Sequence, residues 1–158
     1  MRARLATAGI LATLTVGMFA APASAADPWD GAWQSIRNEQ TGRCLDSDLQ
    51  GKVYTKPCTG NNPYQQWKTM TVNHFNLWRF KNEATGLCVT RINDTTVRAM
   101  ECGNSGYAPQ TWDFNTAART NALLNVSLAL DSDNNGNVYL RPQTQMNRYQ
   151  SWIFGPPF

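Results

Sequence analysis

Two carboxylates, and the residues that follow them at fixed distances, are where this chain offers chemistry. Asp46 and Asp131 each follow an apolar residue, Leu45 or Leu130, at the end of a short β-like run. Further along stand Tyr54 and Tyr139, then Thr59 and Thr144, then Tyr64 and Tyr149, and finally Gln65 and Gln150, all pairs keeping the 46-to-131 offset. A carboxylate has two acceptor oxygens and no donor, which suits a pair of adjacent neutral hydroxyls. An Asp there equally suits a turn cap, and each Tyr equally suits edge-strand packing. The residue types alone leave both readings open.

Catalysis and metal binding are less well supported. Asp46 and Asp48 form a carboxylate pair of the general kind that hydrolyses glycosides, but adjacent strand-end carboxylates on a small β domain point away from an enzyme. Asp131-x-Asp133-x-Asn135-Gly136 satisfies the first half of a calcium-loop pattern, and Asp46-x-Asp48-x-Gln50-Gly51 does so loosely. The twelfth position should be Glu and falls on Pro142 and Pro57, with strand-like rather than helical flanks. One His excludes any site that needs two, and His74 reads as an inter-strand surface residue. No metal and no cofactor are expected. The sequons at Asn93 and Asn125 matter only in a glycosylating host.

The elements that must position these groups come from 158 residues, enough for one domain plus a processed segment. Residues 1–25 carry Arg2 and Arg4, an apolar run to about Ala21, and the Ala23-Ser24-Ala25 cleavage pattern, which read as a secretory signal peptide. The apolar run is shorter than the ~20 residues of a membrane span, so no membrane insertion is expected. The mature chain would be residues 26–158, secreted and extracellular. Losing Arg2 and Arg4 takes the formal charge from +3 to +1, which removes any electrostatic case for nucleic acid. With only 16% of residues charged, the chain is neither an Ala/Glu/Lys-rich bundle nor a charged disordered tail.

Internal repetition organises the mature chain. Gln65-Gln66-Trp67, Gln110-Thr111-Trp112 and Gln150-Ser151-Trp152 are three copies of Gln-x-Trp. Thr41-Gly42-Arg43-Cys44-Leu45-Asp46 matches Thr85-Gly86-Leu87-Cys88-Val89-Thr90, and the third unit carries Leu128-Ala129-Leu130-Asp131. The units span about 33–71, 72–115 and 116–158. In unit three Ala129 replaces Cys44 and Gln143 replaces Cys58, so both cysteines vanish together, as partners would. In an oxidising compartment this pattern predicts the disulfides Cys44–Cys58 and Cys88–Cys102.

Short β-branched or aromatic runs, such as Val53-Tyr54-Thr55, Leu77-Trp78-Arg79-Phe80 and Val138-Tyr139-Leu140, alternate with Gly, Asn, Asp and Pro turns. No window sustains a helical apolar period, so the fold class is all-β. A unit of four such strands cannot bury its own apolar face, whereas three units closing on one another can. Trp67, Trp112 and Trp152 are the expected core, because large aromatics dominate burial in small β domains.

Three Gln-x-Trp units with Cys-Leu-Asp starts resemble the ricin B-type β-trefoil lectin family over essentially all of residues 33–158. Within that family the repeat is similar to those of actinohivin-like bacterial lectins: Thr41 to Ser47, then Gly51-x-Val53-Tyr54-Thr55-x-Pro57-Cys58, then Tyr64-Gln65-x-Trp67. The resemblance implies a β-trefoil and a sugar pocket in a unit that keeps a carboxylate, tyrosines and a short polar side chain. Asp46, Tyr54, Thr59 and Tyr64, and Asp131, Tyr139, Thr144 and Tyr149, are then the carbohydrate-binding candidates, with Gln65 and Gln150 supporting the pockets. Aromatic faces suit the C–H side of a sugar ring, and polar groups fix its orientation. The middle unit departs, with Thr90, Arg98 and Pro109 at the Asp and Tyr positions, and is expected to be structural. Thr59 and Thr144 stand where actinohivin-like repeats have Asn, and Lys56 and Arg141 where they have Leu, so the resemblance does not by itself imply high-mannose specificity. Ricin-type galactose sites have an aromatic at the position of Lys56 and Arg141 and Asn before the Gln, so galactose is not favoured.

The expected function is a secreted lectin for glycans or glycoconjugates, bivalent through units one and three. The alternative is a protein-binding trefoil, a toxin subunit or hydrolase inhibitor, that would meet its protein partner through aromatics such as Trp29, Trp33 or Tyr107.

Overall fold

The computed structural model describes residues 31–73, 77–104, 106–115 and 122–157. The expected leader, Trp29 and His74 lie outside them. Twelve strands form among the described residues, four to each unit. Unit one holds β1 (Trp33–Asn38), β2 (Cys44–Ser47), β3 (Val53–Lys56) and β4 (Gln66–Asn73). Unit two holds β5 (Leu77–Asn82), β6 (Cys88–Arg91), β7 (Val97–Met100) and β8 (Trp112–Asn115). Unit three holds β9 (Ala122–Asn125), β10 (Leu128–Ser132), β11 (Val138–Pro142) and β12 (Trp152–Gly155). The described residues contain no α-helix; the only helical elements are 3-10 turns at Pro63–Gln65, Ala108–Gln110 and Arg148–Gln150, each delivering a Gln-x-Trp motif.

All pairings are antiparallel and follow one plan. A continuous wall runs β12–β1–β4–β5–β8–β9, and each unit adds a hairpin: β2–β3, β6–β7 or β10–β11. The three hairpins meet through β3, β7 and β11. Their backbones close a ring: Ala99 N donates to Gly51 O (2.9 Å), Thr55 N to Gly136 O (2.8 Å), and Leu140 N to Thr95 O (3.0 Å). Donors and acceptors occupy equivalent positions in the three repeats, so the pseudo-threefold symmetry of the sequence becomes a cycle of hydrogen bonds. This is a β-trefoil.

The core gathers one layer from each unit. Ile36, Leu45, Phe80, Val89, Leu123, Leu130 and Leu140 pack with the fully buried Trp67, Trp112 and Trp152. Burying an indole of this size contributes about 4–6 kcal/mol before entropy is subtracted. Each indole N–H also needs a partner, and finds it in its own unit: Trp67 Nε1 donates to Leu45 O (3.0 Å), Trp112 Nε1 to Val89 O (3.1 Å), and Trp152 Nε1 to Leu130 O (2.9 Å).

The disulfides form as the repeat predicts. Cys44–Cys58 and Cys88–Cys102 each span 14 residues and tie the open end of a hairpin; each stabilises by about 3 kcal/mol on a chain-entropy argument. Unit three replaces its bridge with a small apolar cluster of Ala122, Leu124 and Ala129.

Units are joined by three buried asparagines. Asn38 Nδ2 donates to Tyr149 O (2.7 Å), Asn82 Nδ2 to Tyr64 O (2.8 Å), and Asn125 Nδ2 to Ala108 O (2.7 Å). Each reaches from the end of a unit's first strand into the 3-10 turn of the preceding unit around the ring.

The ring of hairpins constrains Gly51 most tightly. Its φ is +75°, and a Cβ there would lie 2.3 Å from Ala99 O. Gly42, at φ +67°, has open space around it. Gly42→Ala is therefore expected to cost about 1–2 kcal/mol for the left-handed backbone alone, and Gly51→Ala clearly more, because the opposing backbone must also move. Urea unfolding of the two variants measures the difference, and equal midpoints would contradict it.

Candidate functional site

The hairpin register sets the first pair of site residues. Asp46 lies directly across from Tyr54 in β2–β3, and Asp131 across from Tyr139 in β10–β11. Directly opposed residues share a face of an antiparallel pair, so each carboxylate sits beside a tyrosine. The same register in unit two sets Thr90 against Arg98.

The glutamine of each Gln-x-Trp aims its side chain inward from the 3-10 turn. Gln65 Nε2 donates to Asp46 Oδ2 (3.0 Å) and Pro57 O (3.1 Å), while its Oε1 accepts from Thr59 N (2.9 Å). Gln150 repeats the pattern with Asp131 Oδ2 (3.1 Å), Pro142 O (3.0 Å) and Thr144 N (2.9 Å). Gln110 does the same with Thr90 Oγ1 (2.9 Å), Glu101 O (2.8 Å) and Gly103 N (2.8 Å). Burial leaves these amides no water to bond, so full pairing locks the turn, the second strand and the end of the third strand together.

Two polar clefts open beside the clamps. Asp46, Asp48, Tyr54, Lys56, Asn62 and Tyr64 line most of the first, of about 290 Å³. Asp131, Asp133, Asn134, Tyr139, Asn147 and Tyr149 line most of the other, of about 330 Å³. The predicted Asp and both tyrosines of each unit therefore come together. Gln65 and Gln150 lie behind the clefts, holding the carboxylates. Thr59 and Thr144 stand outside both linings; their backbone N–H groups serve the glutamines, and Thr59 Oγ1 turns to Pro57 O (3.2 Å).

Two wall residues common to both clefts, an Asn and a second Asp, were not among the sequence candidates for sugar binding. Asn62 and Asn147 cap the 3-10 turns, accepting from Tyr64 N and Tyr149 N (both 3.1 Å), which aims those tyrosines at the cleft. Asp48 Oδ1 accepts from Gln50 N (3.0 Å) and Lys52 N (2.8 Å), and Asp133 Oδ1 from Asn135 N and Asn137 N (both 2.9 Å). The calcium-like spacing thus corresponds to an Asx turn that shapes the loop. All four residues are identical between units one and three at the same offset, a signal that was available in the sequence.

Unit two has no equivalent carboxylate. Thr90 Oγ1 is buried, accepting from Gln110 and donating to Cys88 O (2.8 Å). Arg98 leaves its hairpin and donates from Nη2 to Gln50 O (2.6 Å) in unit one. The aromatics considered for a protein partner are partly exposed, Trp33 at 36% and Tyr107 at 50%.

Charge in the clefts is held by burial and by cations. Burial pushes the Asp131 carboxyl above its ordinary 3.8, opposed by hydrogen bonds from Gln150 and the Ser132 backbone and by the nearby Arg141. Tyr54 and Tyr139 are also raised, chiefly by burial, so both hydroxyls keep their protons and can donate. Lys56 Nζ lies 4.7 Å from the Tyr54 ring centre and donates to its hydroxyl (3.3 Å), and the Arg141 guanidinium lies 5.1 Å from the Tyr139 ring. Each cleft therefore offers a carboxylate acceptor, phenolic hydroxyls and partly exposed ring faces. Among the described residues no group of three or more His, Cys, Asp or Glu is placed to hold a metal ion.

A raised carboxyl pKa favours the proton in the folded state. Its stabilising contribution is present below the unfolded value and lost as pH rises through the folded one. Asp131→Asn is accordingly expected to be at least as stable as wild type at pH 7, with the advantage shrinking as pH falls through the carboxylate range. Denaturant melts at pH 7 and pH 3.5 measure this, and a marked loss of stability at pH 7 would contradict it.

The model of the ricin-type β-trefoil lectin domain matches residues 32–152, taking in all three Gln-x-Trp motifs and both clefts. Carbohydrate binding without catalysis is the general property of that domain. On the match, the strand plan and the threefold glutamine clamp together, this chain belongs to the ricin-type β-trefoil lectin family.

Proposed function

We propose that the protein is an exported, bivalent lectin that binds glycans through the clefts of units one and three. The carrying observation is the duplication of one polar set, Asp–Asp–Tyr–Asn–Tyr, at equivalent positions in units one and three, against its loss from unit two. Duplication of core residues follows from the fold, but half-exposed tyrosines and cleft carboxylates are not needed for packing. Sugar hydroxyls would donate to Asp46 or Asp131, while the tyrosines supply hydroxyls and apolar faces to the C–H side of the ring. Two weak sites on one rigid body gain avidity on a multivalent glycan when the spacing fits. The N-terminal pattern of residues 1–25 and the two disulfides support export into an oxidising compartment.

A glycan array with wild type, Asp46→Ala, Asp131→Ala and the double variant tests this reading, with circular dichroism confirming the fold of each. Single variants are expected to keep monovalent binding and lose avidity on multivalent surfaces by about 100-fold or more; the double variant should bind nothing. Binding indifferent to both substitutions, or a blank array for wild type, would overturn the proposal. For export, N-terminal sequencing of protein recovered from the medium of the native host should begin at Ala26; a start at Met1 would refute cleavage.

A further inference from the structure

The two clefts share five wall residues and differ at the rest. Leu49 lies on the β2–β3 loop of cleft one, and the equivalent residue of cleft three is Asn134. Leu49 is 66% exposed. Asn134 instead donates from Nδ2 to the Tyr149 hydroxyl (3.3 Å), linking the loop to the 3-10 turn across cleft three. Leucine has no donor, so no such link can join Leu49 to Tyr64. Lys56 also lines cleft one, whereas its counterpart Arg141 stacks on Tyr139 and is not part of the cleft three wall.

Resting on the glycan-binding reading above, we infer that the clefts are not equivalent. Cleft one selects a sugar ring bearing a methyl group, either in an acetamido substituent or at a deoxy carbon, and cleft three selects the same ring with a hydroxyl there. The physical reason is the wall. A ligand methyl seated on Leu49 removes apolar surface from water on both partners, and a hydroxyl in that place would lose hydrogen bonds to water without replacement. In cleft three the Asn134 amide accepts or donates to a hydroxyl and gains nothing from a methyl. An ammonium has three donors, and Lys56 uses one on Tyr54; another can meet an acetamido carbonyl, which favours the acetamido source over the deoxy one.

The two clefts can be read one at a time. Asp131→Ala leaves cleft one and Asp46→Ala leaves cleft three, and each variant is titrated by NMR with methyl glycosides. The probes are glucose, galactose and mannose, each beside its 2-acetamido and 6-deoxy analogues. In whichever series binds, the methyl-bearing member should be favoured by cleft one over cleft three by about fourfold or more, the effect of sheltering one methyl group. The acetamido and deoxy arms identify the source of the methyl. Leu49→Asn in the Asp131→Ala background should abolish the preference, and Asn134→Leu in the Asp46→Ala background should create it. Equal preference in the two clefts, or a preference untouched by Leu49→Asn, overturns the inference and leaves the lectin reading intact. If wild type binds none of the probes and no glycan on the array, the lectin reading itself fails.

Discussion

The buried glutamine amide is the constraint on which this molecule turns. A primary amide removed from water must have its donors and acceptor paired, or each loses about 1–3 kcal/mol. In all three units the glutamine meets that demand in the same way: one N–H to a side-chain oxygen near the end of the second strand, one to a carbonyl at or just past the end of the third strand, and the oxygen to a backbone N–H beyond it. Three separate segments are thereby held at one point. The tryptophan two residues later then enters the core at a fixed depth, with its N–H returned to the strand beside the clamp.

From this clamp the rest of the architecture propagates outward. The hairpins are positioned well enough for their tips to exchange backbone hydrogen bonds in a ring, which in turn demands glycine at 51 and 136, where a Cβ would fall within 2.3 and 2.6 Å of opposing carbonyls. The asparagines at 38, 82 and 125 then fasten each unit to the 3-10 turn of its neighbour. None of the units is closed alone, so stability is a property of the three together, and the two disulfides strengthen hairpins without crossing between units.

Much of this was legible in the residues. Three Gln-x-Trp motifs, vanishing cysteine pairs and short alternating runs determine the fold class, the unit count and the bridges, because each reports a local or repeated constraint. The cross-strand Asp–Tyr pairs were legible as a spacing of eight residues, which a hairpin register converts into contact. Less legible were features whose partners lie in another unit or whose role depends on orientation. Asn38 and Asn82 keep the 44-residue offset of Cys44 and Cys88, but Asn125 falls two residues out of register and all three act between units, so their role is not visible within a repeat. Thr59 and Thr144 sit at a family pocket position, yet it is their backbone N–H groups that the glutamines use. Asp48 and Asp133 carried a metal-like spacing that the local backbone absorbs as a turn.

The middle unit separates what the fold needs from what a ligand would need. At its carboxylate position Thr90 presents a hydroxyl that accepts from Gln110 at 2.9 Å, about as close as Asp46 and Asp131 approach their own glutamines. The clamp is therefore satisfied by one acceptor atom of either residue type. A carboxylate has a second oxygen, and keeping it in the cleft costs burial of a charge, visible in the upward shift at Asp131. Threonine fills the clamp's part in the same molecule with a neutral hydroxyl. What Asp46 and Asp131 have beyond Thr90 is the remaining acceptor, and it borders a cleft flanked by tyrosine hydroxyls and ring faces. The chain thus contains its own substitution experiment: the clamp is a requirement of the fold, and the carboxylate is what the proposed recognition would use.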